Sequence, residues 1–504
     1  VILSIEMSSK ESFLPTPIYW LFVAAIFIGS FALRMTDIND LPLDFHPTRQ
    51  LFSALKARGI YYQTAPNIPD WQREMAVDQW KLQATIEPEF VERLAVFAYR
   101  IKGSADLTLP RIFSAIFWTI SALFLFLTAQ KLTSPDGALF ALSFYLFLPY
   151  GVYASRSFQP DPLMMMFLAV FIWGLANWSD AEKWRWALIT GLFGGAAILV
   201  KTVAIFFVAG AAAGAVLKRR HLKDALRDVQ VWAIAILAIL PTVLYFYYGI
   251  VVDGFLSRQF GGRFLPELLT KPSFYLRWGL NLDQVVGFLV IALAPLGLLL
   301  FPLSKNGMVR GLWFGYVAYG LYFNYHFSTH DYYQIPFILV AALSLAPLGG
   351  MLTKAIRTRR KGWMPRLVLF AMWTLGLLGA AWTVRTELRA VDYRPLASTY
   401  REIGDLLRNE GKVVALTEDY GYRLNYWGWL NVTYFPSAGD LWYQEKRGDP
   451  QSFEQVFEKN TKNRAFFLVT DFAEWALQDD LRVYLTEHYP LYAEDDVFLI
   501  FDLR

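Results

Sequence analysis

The sequence predicts a polytopic α-helical membrane protein with a small extracytoplasmic α/β domain after its last span. Hydrophobic residues make up 55% of the 504 residues and charged residues only 18%, and the mean hydropathy is +0.32. The apolar residues come in blocks of roughly 20, the length that a helix needs to cross a hydrocarbon core. After residue 384, short apolar strands alternate with helical patterns instead. Together these observations exclude a chain of ordinary soluble domains.

Eleven apolar segments are candidate membrane spans, and they define a transmembrane domain over residues 1–384. The first is too long for the core of a signal peptide and lacks a small-residue cleavage site, so we expect it to be retained. The fifth and sixth are short and adjacent, which suggests a tight hairpin. The segments are 18–34, 108–130, 137–154, 161–178, 186–200, 202–217, 230–250, 284–303, 310–325, 333–350 and 367–384.

Basic residues set the predicted orientation. With the N-terminus inside, the inner loops 218–229 and 351–366 carry clusters of Lys and Arg, and short loops rich in these residues stay cytoplasmic. The segments 35–107, 251–283 and everything after 385 are then outside. The absence of cysteine excludes disulfides, thiolate zinc sites and cysteine nucleophiles. We expect the plasma membrane of a prokaryote as the location.

Two of the outer segments have structural patterns of their own. In the first outer loop, 35–107, apolar residues recur at helical spacing over 49–63 and 89–102, which predicts amphipathic helices in the membrane interface. The alternative is that these helices pack on each other as a small extracytoplasmic domain. Residues 385–504 are predicted as the α/β domain, with strands at Val413–Thr417, Ala465–Thr470 and Val497–Phe501.

Ionisable residues gather at the outer ends of the predicted spans. Each costs roughly 2.5–3.5 kcal/mol at membrane depth and so needs a reason. Taken singly, Asp44 and Asp161 are typical of helix caps, and Lys201 is typical of a side chain that reaches the interface from a span end. However, five separate loops place such groups on one side, whereas a transporter would hold them at mid-depth. The set is Asp44, Glu87, Arg156, Asp161, Lys201, His326, His330, Asp331 and Tyr332.

Several short motifs follow one another in a fixed order along the transmembrane domain. They are Glu87-Pro88, Leu109-Pro110-Arg111 with Ser114, Arg156 followed by Asp161-Pro162-Leu163, a glycine-rich hairpin that ends at Lys201, and His330 with Tyr332 and Pro336. Each is weak alone. In this order and on one side of the membrane they resemble the GT-C superfamily of integral-membrane glycosyltransferases, specifically its protein O-mannosyltransferase and aminoarabinose-transferase branch, over residues 17–384.

The resemblance has one departure, in the first outer loop. Family members commonly carry an Asp-Glu pair there, often as His-Pro-Asp-Glu, where this chain has His46-Pro47-Thr48-Arg49. The nearest acid is Asp44, displaced toward the first span. The departure bears on which residue is the general base and leaves the expected fold unchanged.

The resemblance implies a polyprenyl-phosphate-linked sugar as donor and a lipid, glycan or protein as acceptor, at the outer face. A phosphate leaves readily once cations compensate its charge, because its second pKa is only about 6, so the reaction needs a carboxylate base more than a general acid. Asp44 suits the base, and Asp161 could share that role or hold the acceptor hydroxyl. Direct displacement inverts the anomeric centre. Donor contacts are expected from Arg49, Glu87, Arg156, Lys201, Arg258, Arg263, His330 and Tyr332.

Several of these assignments have alternatives. Arg258 and Arg263 are equally typical of residues that bind lipid headgroups. Asp44, Asp161, His330 and Asp331 offer ligands for a divalent ion, but their spacing does not require one. In the α/β domain, Trp427, Trp429, Trp442 and Tyr443 are candidate sugar contacts, although packing within the domain explains them at least as well.

Three other functions stay open from the sequence. The first is transfer of a whole oligosaccharide rather than a single sugar. The second is a lipid or polysaccharide transporter without chemistry, and the third is a non-catalytic scaffold, to which the missing Asp-Glu pair gives weight. The identity of the sugar and of the acceptor is not determined by the sequence.

Overall fold

A computed structural model of the chain describes residues 12–257, 264–301, 306–359, 362–446 and 448–504. The described part of each of the eleven apolar segments is mainly helical, with short breaks in some of them. In chain order, the helices up to the last of these segments are α1 (Thr16–Arg34), α2 (Pro47–Tyr62), α3 (Asp70–Leu82), α4 (Phe90–Lys102), α5 (Thr108–Leu132), α6 (Pro135–Phe147), α7 (Pro149–Ala154), α8 (Asp161–Ala181), α9 (Trp184–Val200), α10 (Ala204–Arg219), α11 (Leu222–Ala225), α12 (Val229–Tyr247), α13 (Pro272–Val286), α14 (Phe288–Leu299), α15 (Gly307–Tyr322), α16 (Asn324–Thr329), α17 (Ile335–Arg359) and α18 (Met364–Glu387).

Strands and shorter helices alternate in the rest of the chain. They are α19 (Arg394–Leu407), β1 (Val413–Leu416), α20 (Tyr422–Trp427), β2 (Thr433–Tyr434), α21 (Ala438–Lys446), α22 (Phe453–Thr461), β3 (Phe466–Val469), α23 (Phe472–Leu477), α24 (Asp479–His488), β4 (Leu491–Asp495) and β5 (Phe498–Asp502).

The chain divides into two compact units. The helical unit comprises the chain up to Ile38, Thr85–Val91 and Pro110–Ala390, and the sheet unit comprises Asn39–Ala84, Glu92–Leu109 and Val391–Arg504. Most of the first outer loop is thus grouped with the C-terminal residues rather than with the spans. The division into 1–384 and 385–504 stays a prediction.

The helical unit holds the helices that are able to cross a membrane. Among the described residues, six are long and apolar enough by length and composition: Thr16–Arg34, Thr108–Leu132, Asp161–Ala181, Val229–Val252, Asp331–Thr358 and Met364–Glu387. The pair α13 and α14 meets the same test only when the two are taken together, as a broken span or a re-entrant loop, because they are bent by 92° at Gly287, where φ is +84°. The helices α6 and α9 are apolar but shorter. The predicted number of eleven spans is therefore not established by this criterion.

Glycines bring α10 and α15 into backbone contact. A Cβ atom on Gly210 would lie 2.3 Å from the carbonyl oxygen of Gly311, and one on Gly214 would lie 2.2 Å from that of Gly307. Small residues four apart allow such close approach between helices in lipid, where packing rather than the hydrophobic effect drives association. The contact fixes α10, whose first turn directly follows Lys201.

The sheet unit is built on a five-stranded mixed sheet in the order β2-β1-β3-β5-β4. Strands β1, β2 and β3 are parallel, whereas β5 is antiparallel to both β3 and β4. Every residue of β1 and β3 is buried. Their continuous apolar runs are those expected of parallel strands covered on both faces.

The helices predicted for the first outer loop differ in their surroundings. Helix α2 is buried along most of its length and packs on α3, where a Cβ on Gly59 would lie 2.3 Å from the Cβ of Trp80. Its burial favours the alternative in which this segment is part of a small domain. Helix α4 instead exposes the apolar side chains of Phe90, Phe97 and Ile101 by 43, 61 and 74%. An interfacial position stays a prediction for α4.

Candidate functional site

A buried ion pair lies in the helical unit at the ends of two helices. The ammonium of Lys201 is 2.7 Å from both carboxylate oxygens of Asp161, and the two side chains are only 5% and 2% exposed. Asp161 is the first residue of α8, where Pro162 favours the first helical turn. Lys201 has extended backbone between α9 and α10. The non-helical segment between α9 and α10, within the predicted hairpin, therefore places the Lys201 ammonium against the Asp161 carboxylate.

Aromatic rings cover the ammonium. The centres of the Tyr332 and Tyr333 rings lie 5.5 and 6.0 Å from Lys201 Nζ. The ring of His330 lies 5.4 Å from that of Tyr332, and its Nδ1 is 2.7 Å from the hydroxyl of Thr329. These residues come from the short segment between α16 and α17. Sequence analysis had named His330 and Tyr332, and the structure brings both of them to the Lys201–Asp161 pair.

Tyr150 belongs to the same group, although little in the sequence indicates that it is a site residue. This residue lies in the first turn of α7, and its hydroxyl is close enough to Asp331 and Asp161 for their charges to act on it. A tyrosine at a span end is most often an interfacial residue, so composition could not single it out. We call Tyr150, Asp161, Lys201, His330, Asp331 and Tyr332 the Lys201 cluster.

Arg156 is buried in the helical unit, and its guanidinium is hydrogen-bonded to residues outside the cluster. Its terminal nitrogens donate to the carbonyl oxygens of Thr36 and Asp37 over 2.7 and 3.0 Å. Its own carbonyl oxygen accepts from Nε of Arg111 over 3.2 Å, and Arg111 also donates to Ile38. These bonds hold the segment after α1 against the loop before α8. The guanidinium of Arg156 therefore donates to backbone carbonyl oxygens, and its contact with phosphate stays a prediction.

The remaining predicted residues of the helical unit are distributed as follows. Glu87, together with Glu89, lies close enough to Tyr245 on α12 for its charge to act on that hydroxyl. Arg258 and Arg263 lie outside the described residues. Among the residues that the structure does describe, no three His, Asp or Glu side chains are placed to hold a metal ion.

Asp44 and Arg49 belong to the sheet unit. Asp44 lies near Tyr393, whose backbone N–H donates to the carboxylate of Asp40 over 3.2 and 3.3 Å. Burial raises the pKa of the Tyr393 hydroxyl, and the charges of Asp44 and Asp40 raise it further. Arg49 lies near Tyr422, the pKa of which is raised to about 12 by burial despite the positive charge. Acids and a cation thus gather around two tyrosines.

An acidic loop lies in the same unit directly after β1 and was not predicted from the sequence. Thr48 donates to Asp419 over 2.7 Å, and Arg423 forms ion pairs with both Asp419 and Glu418. Burial raises the pKa of Glu418 above its usual range. Asp419 and Tyr420 have φ of +52° and +55°, a left-handed conformation that is uncommon for such residues and costs free energy. The loop follows the carboxyl end of a parallel strand, where ligands commonly bind in such sheets. This position was the feature of the sequence that could have identified the loop.

The charges of this loop reach the surroundings of Asp44. The Tyr393 hydroxyl is influenced by Glu418 and Arg423 as well as by Asp44. Thr48 stands at the position where the GT-C pattern has an acid. Its hydroxyl is hydrogen-bonded to Asp419, an acid from a distant part of the chain. Within the sheet unit, carboxylates of the loop after β1 thus lie close to residues of the first outer loop.

Comparison with known proteins finds one family model that matches part of the chain and solved structures that share its fold. Residues 88–245 match the model of the dolichyl-phosphate-mannose-protein mannosyltransferase family. The fold is similar to ArnT from Cupriavidus metallidurans bound to undecaprenyl phosphate, with a TM-score of 0.62 and 15% identity over 97% of this chain and 98% of that one. The same protein in the apo state gives a TM-score of 0.59 at 14% identity, over 97% of this chain and 98% of that one.

A more distant structural match is AglB from Archaeoglobus fulgidus, an archaeal oligosaccharyltransferase in complex with an inhibitory peptide and a dolichol-phosphate. Its TM-score is 0.52 at 14% identity, over 95% of this chain and 74% of that one. No curated protein sequence matches the chain. The family match and the fold together confirm the predicted resemblance to the GT-C superfamily of membrane glycosyltransferases.

Proposed function

We propose that the chain is a membrane glycosyltransferase that moves a sugar from a polyprenyl-phosphate carrier to an acceptor at the outer face of the membrane. The observation that carries the proposal is the buried Lys201–Asp161 pair, covered by Tyr332, in a fold shared with a protein that binds undecaprenyl phosphate. A buried ion pair adds little stability compared with an apolar pair of the same size, so its presence supports a role in binding or catalysis.

The chemistry assigns Lys201 to the leaving phosphate. An ammonium has three N–H donors, and Asp161 accepts from it with both oxygens. Asp161 then orients the ammonium and balances its charge while the site is empty. When the sugar leaves, the phosphate gains negative charge, and a positioned cation stabilises that charge most strongly where water is excluded. Asp161 is accordingly proposed as a positioning residue rather than as the base.

Asp44 is the proposed general base. Its carboxylate takes the proton from the acceptor hydroxyl, the acceptor oxygen bonds to the anomeric carbon, and the carbon–oxygen bond to phosphate breaks with its electron pair leaving on the phosphate. Displacement in one step inverts the anomeric centre. Asp419 is the second candidate, because it is bonded to Thr48 at the position where the family pattern has its acid.

Transfer of a single sugar is preferred to transfer of an oligosaccharide. The fold is more similar to ArnT, with TM-scores of 0.59 and 0.62, than to the archaeal oligosaccharyltransferase, with a TM-score of 0.52. The proposal includes eleven spans in a prokaryotic plasma membrane and an extracytoplasmic sheet unit. It leaves a requirement for a divalent ion to be measured.

The test is sugar transfer by the purified full-length protein in lipid nanodiscs. Wild type is supplied with labelled polyprenyl-phosphate monosaccharides and a cell-envelope extract as acceptor, and is compared with Asp44→Asn and Asp419→Asn. We expect Asp44→Asn to lower kcat by roughly a hundredfold or more, as for removal of a general base, with the KM for the donor unchanged.

The matched control is Asp496→Asn, an exposed acid of the sheet unit, which should transfer sugar at the wild-type rate. Full activity of Asp44→Asn with loss in Asp419→Asn would move the base to the β1 loop. Inactive wild type across all donors, with and without added divalent ions, would contradict single-sugar transfer and favour oligosaccharide transfer, transport or a scaffold.

A further inference from the structure

A cleft of about 600 Å³ opens in the sheet unit, and none of the residues assigned to the proposed reaction lines it. Its walls are α21, α22 and the junction between α23 and α24. Its floor is formed by Phe435, Val456 and Leu481, which belong to the buried core of the unit. The volume lies within the roughly 300–1,000 Å³ typical of small-molecule sites. A rigid floor with a mixed rim is the form expected of a binding site.

A tryptophan is exposed on the rim. The side chain of Trp442 on α21 is 53% exposed. Three other tryptophans of the unit are enclosed: Trp427 and Trp475 are buried, and Trp429 packs against the rings of Tyr62 and Trp71. An exposed indole beside a cleft offers a flat apolar face to a ligand. Packing within the domain therefore accounts for Trp427, Trp429 and Trp475 but not for Trp442.

Planar polar groups surround that indole. Gln444, Gln451 and Gln478 line the cleft with Glu445, Asp479 and Asp480. Hydrogen bonds hold several of them: Gln444 donates to Asp449 over 3.0 Å, and Gln478 donates to the carbonyl oxygen of Pro436 over 3.0 Å. Fixed amides and carboxylates bind hydroxyl groups at defined positions, whereas a flexible rim would lose conformational entropy on binding.

The charge of the lining selects among ligands. Three of the described lining residues are carboxylates, and none is Lys or Arg. Two cations adjoin the lining, but each is already paired: Lys446, which also lies 5.7 Å from the centre of the Trp442 ring, with Glu445, and Arg482 with Asp479. A phosphate, sulfate or uronic acid would meet these carboxylates and would have to compete with them for the cations. A ligand with hydroxyl groups, an apolar face and either no charge or an amino group matches the indole, the amides and the carboxylates together.

We propose that this cleft binds a neutral or amino-bearing oligosaccharide, with one sugar ring stacked by its C–H face on Trp442. The ligand would be the glycan portion of the acceptor, and this last assignment rests on the proposed function. Binding itself does not, because it requires no donor and no transfer. The cleft would select the acceptor by its glycan while the reaction proceeds elsewhere.

The experiment measures binding of fluorescently labelled chitotetraose, maltotetraose and mannotetraose to the full-length protein in nanodiscs, without donor. We expect at least one to bind and its affinity to fall roughly tenfold in Trp442→Ala. Trp442→Phe should retain most of the affinity. The matched control is Trp71→Ala, which removes a tryptophan of the same unit that does not line the cleft and should change the affinity less than twofold.

Two results would overturn the proposal: no binding of any of the three glycans by folded wild-type protein, or equal binding by wild type and Trp442→Ala. Preference for a phosphorylated tetrasaccharide over its neutral parent would also contradict the charge argument. Because transfer is assayed separately, loss of glycan binding with intact transfer to a monosaccharide acceptor would leave the proposed reaction standing. Loss of transfer with intact glycan binding would do the reverse.

Discussion

The two units each bury a cation, but they compensate it differently. In the helical unit, Lys201 is paired with the carboxylate of Asp161. In the sheet unit, Arg58 on α2 donates to the side chain of Gln79 over 2.6 Å and to carbonyl oxygens of the α20 segment, and it lies between the rings of Tyr426 and Trp429, 4.2 and 3.9 Å from their centres. These contacts of Arg58 are all with neutral groups.

The difference follows from the chemistry of the two cations. A guanidinium is planar, is weakly hydrated and has five donors, so neutral oxygens and aromatic faces can satisfy it. An ammonium is compact and strongly hydrated, and burying it calls for an opposite charge. Burial lowers the pKa of Arg58 to about 10, partly offset by Tyr426, Tyr62 and Tyr99, so it stays charged at neutral pH. The arginine binds α2 to α20, whereas the lysine–aspartate pair is the costly arrangement that suggests function.

The largest expected effect is from breaking the pair in the helical unit. Asp161→Asn leaves a buried ammonium without its carboxylate, which should lower the free energy of unfolding by about 3–5 kcal/mol and abolish sugar transfer. The double variant Asp161→Asn/Lys201→Met removes both charges and should regain most of the stability. Thermal unfolding in detergent measures the first effect, and the transfer assay measures the second. Transfer by the double variant would show that the pair is only structural.

A smaller effect is expected from replacing the arginine in the sheet unit. Arg58→Lys keeps the charge but loses the forked hydrogen bonds and the stacking, so we expect a loss of about 1–3 kcal/mol in the stability of this unit. Limited proteolysis and chemical denaturation monitor it. The matched control is Arg408→Lys, which lies 4.7 Å from the ring of Trp71 and is more exposed. Equal losses in both variants would contradict the explanation based on burial.

The smallest effect concerns an exposed pair at the end of α4. Asp106 is hydrogen-bonded to Lys102 and to the backbone N–H of Thr108, and although its partial burial acts in the opposite direction, these bonds lower its pKa from 3.8. A carboxyl whose pKa is lower in the folded than in the unfolded state stabilises the protein at pH values above the unfolded-state pKa. This stabilisation is lost as the pH falls through the folded-state pKa. Water screens this pair, so the contribution is below about 1 kcal/mol.

Asp106→Asn should therefore lower the melting temperature slightly at pH 7, and the difference from wild type should shrink as the pH falls below 3.8 and the wild-type carboxylate becomes protonated. Melting curves across this pH range measure the difference. A constant difference at all pH values would show that the carboxylate acts through its hydrogen-bond geometry and not through its charge.

Apolar periodicity predicted the helices well, because a helix in lipid must satisfy its backbone internally and so requires a long apolar run. The strands near 413–417, 465–470 and 497–501 also occur, as β1, β3 and β5. The two edge strands were not predicted. Strand β2 has only two residues, and β4 is mostly exposed without an apolar run. The span count was not settled, since several helices fall short of a membrane-crossing length.

The candidate site was predicted in part. Sequence order and sidedness placed Asp161, Lys201, His330 and Tyr332 on one face, and the structure brings them together. Arg156 donates to the carbonyl oxygens of Thr36 and Asp37, and its predicted contact with phosphate stays a prediction. A motif shows that an arginine is present at a helix end but not which acceptors surround it.

The sequence by itself determined the helical segments, the change to an α/β pattern after residue 384, and the resemblance to GT-C glycosyltransferases, because these depend on local hydropathy and short motifs. Only the tertiary structure decided that the Lys201 ammonium is paired with Asp161, that Thr48 is bonded to Asp419, and that α2 joins the sheet unit through Arg58. Each of these contacts joins residues far apart in the chain, and which distant groups meet is set by packing, which no local pattern encodes.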